Sequence, residues 1–239
     1  NTDVLFRNLR GEAPNEKITS VLGIPQGADF QTQGRGRGSN QWLSPYGSGV
    51  CFSVIGYLSS KSSPLGLSIY CGIAIARALR DLSYAGVSLK WPNDLLRGGK
   101  KLGGILVELT SQSQDYYSFN IGVGINYDIG SDLNSMDQNI FPPTDLLKVN
   151  HDFSVCRSEM SGILARTVIE SLKKFNQGSM QSAFRLWPDF DALFQKEVKI
   201  IEENDILEGK NIGIDHTGAL LLDCLLYTSP SPRDKRQSR

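Results

Sequence analysis

Three glycines alternate with two arginines at Gly34-Arg35-Gly36-Arg37-Gly38. Glycine lets a backbone fold tightly and turn its N–H groups toward an anion. Arginine adds a planar fork of donors that matches a carboxylate or a phosphate. Arg/Gly segments also bind single-stranded nucleic acid, or serve as plain flexible loops. Such segments run longer and carry few aliphatic residues. This one is single and lies between two segments of ordered composition, so an anion-binding enzyme loop is the favoured reading.

A second cluster is Lys90-Trp91-Pro92-Asn93-Asp94, followed by Arg97, Lys100 and Lys101. A strand delivers a lysine, then turns with an amide and a carboxylate at its tip. Asn93 and Asp94 could hold a metal or orient phosphates. Lys90 and Lys101 could neutralise developing negative charge. Arg97 and Lys100 read as the solvated face of an ordinary basic hairpin. Lys101 does not, because Leu102-Gly103-Gly104-Ile105-Leu106-Val107 follows it. A lysine at the mouth of a buried strand with paired glycines reaches a ligand lying against the backbone. Gly122-Val123-Gly124-Ile125-Asn126 gains weight only in this company, since alone it reads as a strand end. Trp42 is either a core residue or a stacking surface beside the Arg/Gly loop. His151 and His216 fall in a polar loop and a turn, which leaves no Ser–His–Asp set. Phosphate-bearing chemistry, with negative charge stabilised by fixed cations and metal, is what the residues favour.

The elements that must position these residues follow from periodicity and composition. Asn1–Arg10 reads as a short helix, Gln31–Gln41 as a loop and Gly49–Tyr57 as a strand. A helix is expected over Pro64–Leu82, with Pro64 in its first turn and Ile69, Ile73, Ala76 and Leu79 on its buried stripe. Val87–Lys90, Leu102–Leu109 and Tyr116–Ile125 read as strands, with Thr110–Asp115 as a hairpin connection. Asp128–Asn150 reads as a polar loop with one short helix after Pro142-Pro143. Ser154–Asn176 and Ser179–Asp189 read as helices, the first with Leu164, Val168, Leu172 and Phe175 inward. The period then changes to strands at Val198–Ile201, Ile206–Ile214 and Ala219–Leu222, with a turn at Asp215–Gly218. This predicts an α+β chain with a catalytic domain over 1–192, an incomplete β module over 193–226 and a non-native or disordered tail over 227–239.

Composition narrows the class. The chain has 239 residues, 40% hydrophobic, with 25 basic and 25 acidic side chains. A disordered or collagenous chain is excluded. Four of the basic residues and one acidic residue fall in the tail, so the body is mildly acidic and is no general polyanion binder. Cys51, Cys71, Cys156 and Cys224 have no CxxC spacing, which argues against zinc. Cys51 and Cys71 sit in apolar runs and read as core thiols of a reducing compartment. The most apolar stretch, 62–76, is too short for a membrane span. The chain opens without Met, which predicts a fragment at that end.

Five motifs in order, Gln31-Thr32-Gln33-Gly34-Arg35-Gly36-Arg37-Gly38, Trp42-Leu43-Ser44-Pro45, Lys90–Asp94, Lys101–Glu108 and Gly122–Asn126, resemble biotin–protein ligase. The loop and Pro142-Pro143-Thr144 look closer to the eukaryotic holocarboxylase synthetases, here truncated at the N-terminus. The resemblance implies a mixed β-sheet with flanking helices, like class II aminoacyl-tRNA synthetases, and an SH3-like C-terminal barrel. It implies activation of biotin by MgATP to biotinyl-5′-AMP, then transfer to a lysine of a carboxyl carrier domain of a carboxylase. By that resemblance Asn1, Gln31, Thr32, Gly34, Arg35, Gly36, Lys101 and Gly104 would meet biotin, with Gln31 at its ureido group. Arg37, Trp42, Lys90, Asn93 and Asn126 would meet ATP. Lys101, Arg37, Lys90 and Asp94 would be catalytic, and Asp94 would hold magnesium. No nucleic acid and no membrane would be partners, a homodimer is open, and the cytoplasm is the default location.

Three rivals stand beside it. Lipoate–protein ligases and octanoyltransferases share the fold but lack the Arg/Gly loop and Lys90–Asp94 run in this form. A non-catalytic nucleic-acid module would need a basic body, which the charge count opposes. An inactive fragment of the same family is the third.

Overall fold

A computed structural model describes residues 26–38, 40–60, 62–130, 141–147, 155–178, 180–201 and 206–224. In chain order the elements are β1 (Gln26–Ala28), β2 (Gln31–Arg35), β3 (Gln41–Ser44), β4 (Gly49–Ser59), α1 (Leu67–Asp81), β5 (Val87–Lys90), β6 (Asp94–Arg97), β7 (Lys100–Gln112) and β8 (Tyr116–Asn126). Then come α2 (Arg157–Asn176), α3 (Met180–Phe184), α4 (Trp187–Phe190), β9 (Glu197–Ile201), β10 (Ile206–Ile214) and β11 (Leu220–Asp223). The expected helix at Asn1–Arg10 and the tail at 227–239 lie outside the described residues.

Six strands form one sheet in the order β1-β4-β8-β7-β6-β5. Each pair within it is antiparallel, and parallel pairing enters at two isolated bridges, Leu89↔Asp191 and Lys101↔Pro143. The strands alternate with period two. Val54 of β4, Ile105 of β7, and Phe119, Ile121, Val123 and Ile125 of β8 are buried in one core with α1 and α2. Ile69, Ile73, Ala76 and Leu79 of α1 join them, as do Leu164, Val168, Leu172 and Phe175 of α2. Each Val, Leu, Ile or Phe side chain among them contributes about 1.5–3 kcal/mol by leaving water. Helix α2 lies close on β4, since a Cβ on Gly56 would come within 2.7 Å of Leu172. Cys51 and Cys71 are buried, as expected.

The structure corrects several expected boundaries. Gln31–Gln41 is a hairpin rather than a loop, for β2 and β3 pair antiparallel across a short tip. Helix α1 starts at Leu67, three residues after Pro64, because Gly66 holds a left-handed φ of 76° that no helix continues through. Strand β7 runs on to Gln112, leaving Ser113–Asp115 as the turn, where Ser113 Oγ accepts from the N–H groups of Asp115 and Tyr116. The helix expected at Ser179–Asp189 is split into α3 and α4, because Pro188 has no N–H to continue the ladder. Of the short helix expected after Pro142-Pro143, Leu147 is in a 3₁₀ turn and residues 148–150 lie outside the described residues, while residues 142–145 form no helix. They lie along the start of β7, where Lys101 N–H donates to Pro142 O at 2.8 Å and Thr144 N–H to Lys101 O at 2.9 Å.

Arg97 is the largest correction. It is not a solvated hairpin charge but is buried. Its guanidinium donates to Leu146 O at 2.9 Å and Ala85 O at 3.3 Å, and stacks 5.6 Å from the Tyr84 ring. Burial pulls its pKa below the ordinary arginine value, opposed by Tyr84 and Asp145. It ties β6 to the 141–147 segment. Lys100 is exposed, as expected.

Strands β9, β10 and β11 form a separate antiparallel sheet of three, in the order β11-β10-β9. It is a small, unclosed sheet, consistent with an incomplete SH3-like barrel. Buried Asp191 fastens it to the larger sheet. Its carboxylate accepts from Asn211 Nδ2 at 2.7 Å, Trp187 Nε1 at 2.9 Å and Leu193 N–H at 2.9 Å. Ala192 N–H donates to Leu89 O at 2.8 Å, and Trp91 Nε1 to Gly218 O at 3.0 Å. The small sheet is therefore anchored beside Lys90. Among the described residues no helix is long and apolar enough to cross a membrane.

Candidate active site

The sheet face turned away from α1 and α2 carries small residues. Register places Ser53 and Leu106 beside Gly122, and Cys51 and Gly104 beside Gly124. Alternation puts all of these opposite the aliphatic face. The side chains that Gly104, Gly122 and Gly124 lack leave a cavity of about 860 Å³ above the strands, bordered by Ser53 and Leu106. The β2–β3 hairpin roofs it. Gly34 is needed where the hairpin strands meet, since a Cβ there would come within 2.2 Å of Trp42 O. At the tip Gly36 N–H donates to Asn40 O at 2.8 Å and Asn40 N–H to Arg37 O at 3.3 Å, which turns the chain tightly and leaves Arg37 exposed. The Trp42 indole lies on Gly124, where a Cβ would come within 2.6 Å of the ring. Its Nε1 is buried without a hydrogen-bond partner among the described residues.

One end of the cavity is ionic. Strand β5 delivers Lys90, the Trp91–Asn93 turn follows, and β6 begins at Asp94. The Asp94 carboxylate lies between two ammonium groups, Lys101 Nζ at 2.9 Å from one oxygen and Lys90 Nζ at 3.3 Å from the other. Lys90 Nζ also sits 5.2 Å over the Phe141 ring. Two cations share one anion, so the cluster carries net positive charge. Among the described residues no three His, Cys, Asp or Glu side chains come together as a metal site. A cation at Asp94 would compete with both lysines. At the hairpin, Arg35 pairs with Glu108 at 3.0 Å, joining β2 to the floor strand β7.

The residues singled out from sequence divide into three groups. Gln31, Gly34, Arg35, Gly36, Arg37, Trp42, Lys90, Asn93, Asp94, Lys101 and Gly104 line the cavity together. Thr32 and Asn126 do not join them. Thr32 is exposed on β2. Asn126 is buried and donates to Thr144 O at 3.0 Å and Lys101 O at 3.4 Å, so it holds the 141–147 segment and the Lys101 backbone. Asn1 lies outside the described residues. Asn93 is also partly structural, for its amide donates to Ile105 O at 3.1 Å while its own carbonyl accepts from Ile105 N–H at 2.9 Å. Residue-type reasoning missed Ser53, Asn120, and Ile200 and Ile201 of β9, which line the same cavity. A period-two reading of Phe119 to Ile125 would have found Asn120, because every second residue there is small or polar between large apolar ones.

Known proteins resemble this chain in sequence and in fold. Residues 23–126 match the model of the biotin/lipoate A/B protein ligase family, and residues 194–225 that of the biotin protein ligase C-terminal domain. The chain is 32% identical over 197 residues to the bifunctional ligase/repressor BirA of Escherichia coli, covering 82% of this chain and 60% of that protein. It is 36% identical over 138 residues to biotin–protein ligase 2 of Arabidopsis thaliana, covering 52% and 41%. The solved biotin protein ligase from Aquifex aeolicus in complex with biotin and ATP superposes with a TM-score of 0.68 and 29% identity, over 83% of this chain and 81% of that one.

Proposed function

We propose, from the match of residues 23–126 to the biotin/lipoate A/B protein ligase family, that the cavity joins biotin to ATP and hands the product to a carrier-domain lysine. One observation carries the reading: a glycine-floored shelf ends in a lysine–carboxylate–lysine cluster within a single cavity. The shelf suits a flat neutral ring. The cluster suits a carboxylate meeting a triphosphate. The match to the biotin protein ligase C-terminal domain over 194–225 favours biotin over lipoate.

In the first step a biotin carboxylate oxygen attacks the α-phosphorus of ATP, and the bond to the bridging oxygen of pyrophosphate breaks. Two anions must approach, so the site has to supply positive charge before reaction. Lys101 stands where carboxylate and α-phosphate meet, and Lys90 reaches toward the leaving phosphates. Asp94 holds both ammonium groups in place. Magnesium would arrive with ATP, and Asp94 is the carboxylate of the cluster that could meet it, in competition with the two lysines. Arg37, at the exposed hairpin tip, closes on the adenylate and shields it from water. Gln31, Gly34, Arg35, Gly36 and Gly104 border the biotin ring. Trp42 offers an aromatic face toward adenine. In the second step a carrier lysine amine attacks the acyl carbon and AMP leaves. Lys101 then stabilises the departing phosphate.

The chain spans 60% of the length of the Escherichia coli relative. The carboxylase acceptor, a cytoplasmic location and a eukaryotic-like form of the loop are part of the proposal. Titration calorimetry of biotin, with and without MgATP, tests it on the whole chain and on Arg37→Ala. The expected result is binding tightened by MgATP, pyrophosphate release, and at least tenfold loss of the tightening in the variant. Binding indifferent to MgATP, or tighter for lipoate than for biotin, would overturn it.

A further inference from the structure

Asn120 lies on the floor of the cavity at the end away from the lysines. It sits on β8 directly across from Glu108 of β7 and Ile55 of β4. Four residue steps along β8 lead from it to Gly124, which is about 13 Å at the usual strand rise. Gly124 pairs with Gly104, and Gly104 with Asp94, so the ionic cluster marks one end of the shelf and Asn120 the other. The carboxamide lines the cavity, yet Asn120 is only 6% exposed. Its Oδ1 is fully buried and has no hydrogen-bond partner among the described residues. A buried polar group without a partner destabilises a folded chain. An aliphatic residue would fit the same β position at no such cost, as Ile121 and Val123 do on the opposite face. The group is placed where a ligand completes its hydrogen bonding.

We propose that Asn120 is a specificity-determining residue that hydrogen-bonds the neutral head of the bound acid, the cyclic urea of biotin. This rests on the biotin reading above and deepens it. A urea offers both a carbonyl acceptor and N–H donors, so it satisfies the amide in either orientation. A simple fatty acid or the dithiolane of lipoate would bury the amide unsatisfied and be rejected. Asn120 touches no reacting atom, since the acid's carboxylate lies at the lysine end.

The test uses the whole chain, with Asn120→Leu as the apolar isostere and Asn120→Thr as a variant that keeps a hydroxyl. Biotin, desthiobiotin (which keeps the urea but lacks the sulfur ring) and octanoate are titrated into each, and the KM for ATP and kcat of pyrophosphate release are measured. Asn120→Leu should bind biotin and desthiobiotin about tenfold more weakly, gain on octanoate, and leave the KM for ATP and kcat unchanged. Its ligand-free melting temperature should be unchanged or higher, because an unsatisfied group has been removed. Asn120→Thr should recover part of the biotin affinity. Wild-type biotin affinity in Asn120→Leu would overturn the proposal alone. A lower melting temperature with biotin and ATP weakened alike would also overturn it, by making the role structural. Failure of the wild-type chain to bind biotin or desthiobiotin would overturn it together with the reading of the site.

Discussion

The two faces of the same sheet do different work. On one, Val54, Ile105, Ile121, Val123 and Ile125 are buried against α1 and α2. On the other, Ser53, Gly104, Gly122, Gly124 and Asn120 leave room for the cavity. The residues alternate along single strands, so neighbours in sequence answer to different requirements. The first face contributes stability by removing aliphatic surface from water. The second gives up such contacts, and keeps a buried amide unpaired, in favour of binding. The lesson is that stability and ligand affinity should separate by residue parity.

The separation can be broken or sharpened in order of size. Ile121→Ala should destabilise the chain by about 2–5 kcal/mol. The biotin affinity of the molecules that remain folded should not change, as read by denaturant melts beside titrations. Lys101→Met should do the reverse. It should slow pyrophosphate release by roughly 10²–10³-fold while shifting the melting midpoint little. Gly124→Val should push Trp42 off the floor, costing about 1–3 kcal/mol of stability by overpacking and at least tenfold in ligand affinity. It should damage both properties, because Gly124 is where the roof rests on the floor. Glu108→Gln should release Arg35 for less than about 1 kcal/mol, since the pair is largely solvated. Its effect on biotin affinity should fade with added salt.

The smallest effect concerns thiols. Burial pushes the Cys71 thiol up to about 12 from an ordinary 9.0. At Cys156, hydrogen bonds from Ser158 and from the backbone of Glu159 hold the thiol below its ordinary value. A thiol-directed alkylating reagent near pH 8 should therefore modify exposed Cys156 well before Cys71. A raised acid pKa means that the folded state keeps its proton longer than the unfolded state. The stability this contributes is complete below about pH 9 and is lost as the pH climbs toward 12. Equal labelling of Cys71 and Cys156 in the native protein would contradict this picture.

Much of this was legible in the residues. Helical spacing of Ile69, Ile73, Ala76 and Leu79 gave the buried stripe of α1, and Lys90–Asp94 with Lys101 gave the ionic cluster. What escaped depended on contacts distant in sequence. Arg97 reads as a surface charge until Leu146 and Ala85 present their carbonyls to it. Asn126 reads as a ligand contact until Thr144 is folded against it. Gly66 reads as a helix residue until Phe184 and Thr217 are seen packed against its missing Cβ. Gln31–Gln41 reads as a loop because its glycines hide the strand pairing that Trp42 completes. Asn120 could have been found by period alone, but its burial could not.

The central claim is that this cavity adenylates biotin. The most direct measurement is to incubate the whole chain with biotin and ATP labelled at the α-phosphate, then identify what remains bound. The account predicts about one equivalent of labelled biotinyl-AMP per chain, released as AMP when a carrier domain is added, and almost none with Lys101→Met. Unchanged ATP, or a labelled adenylate formed with lipoate and not with biotin, would contradict it.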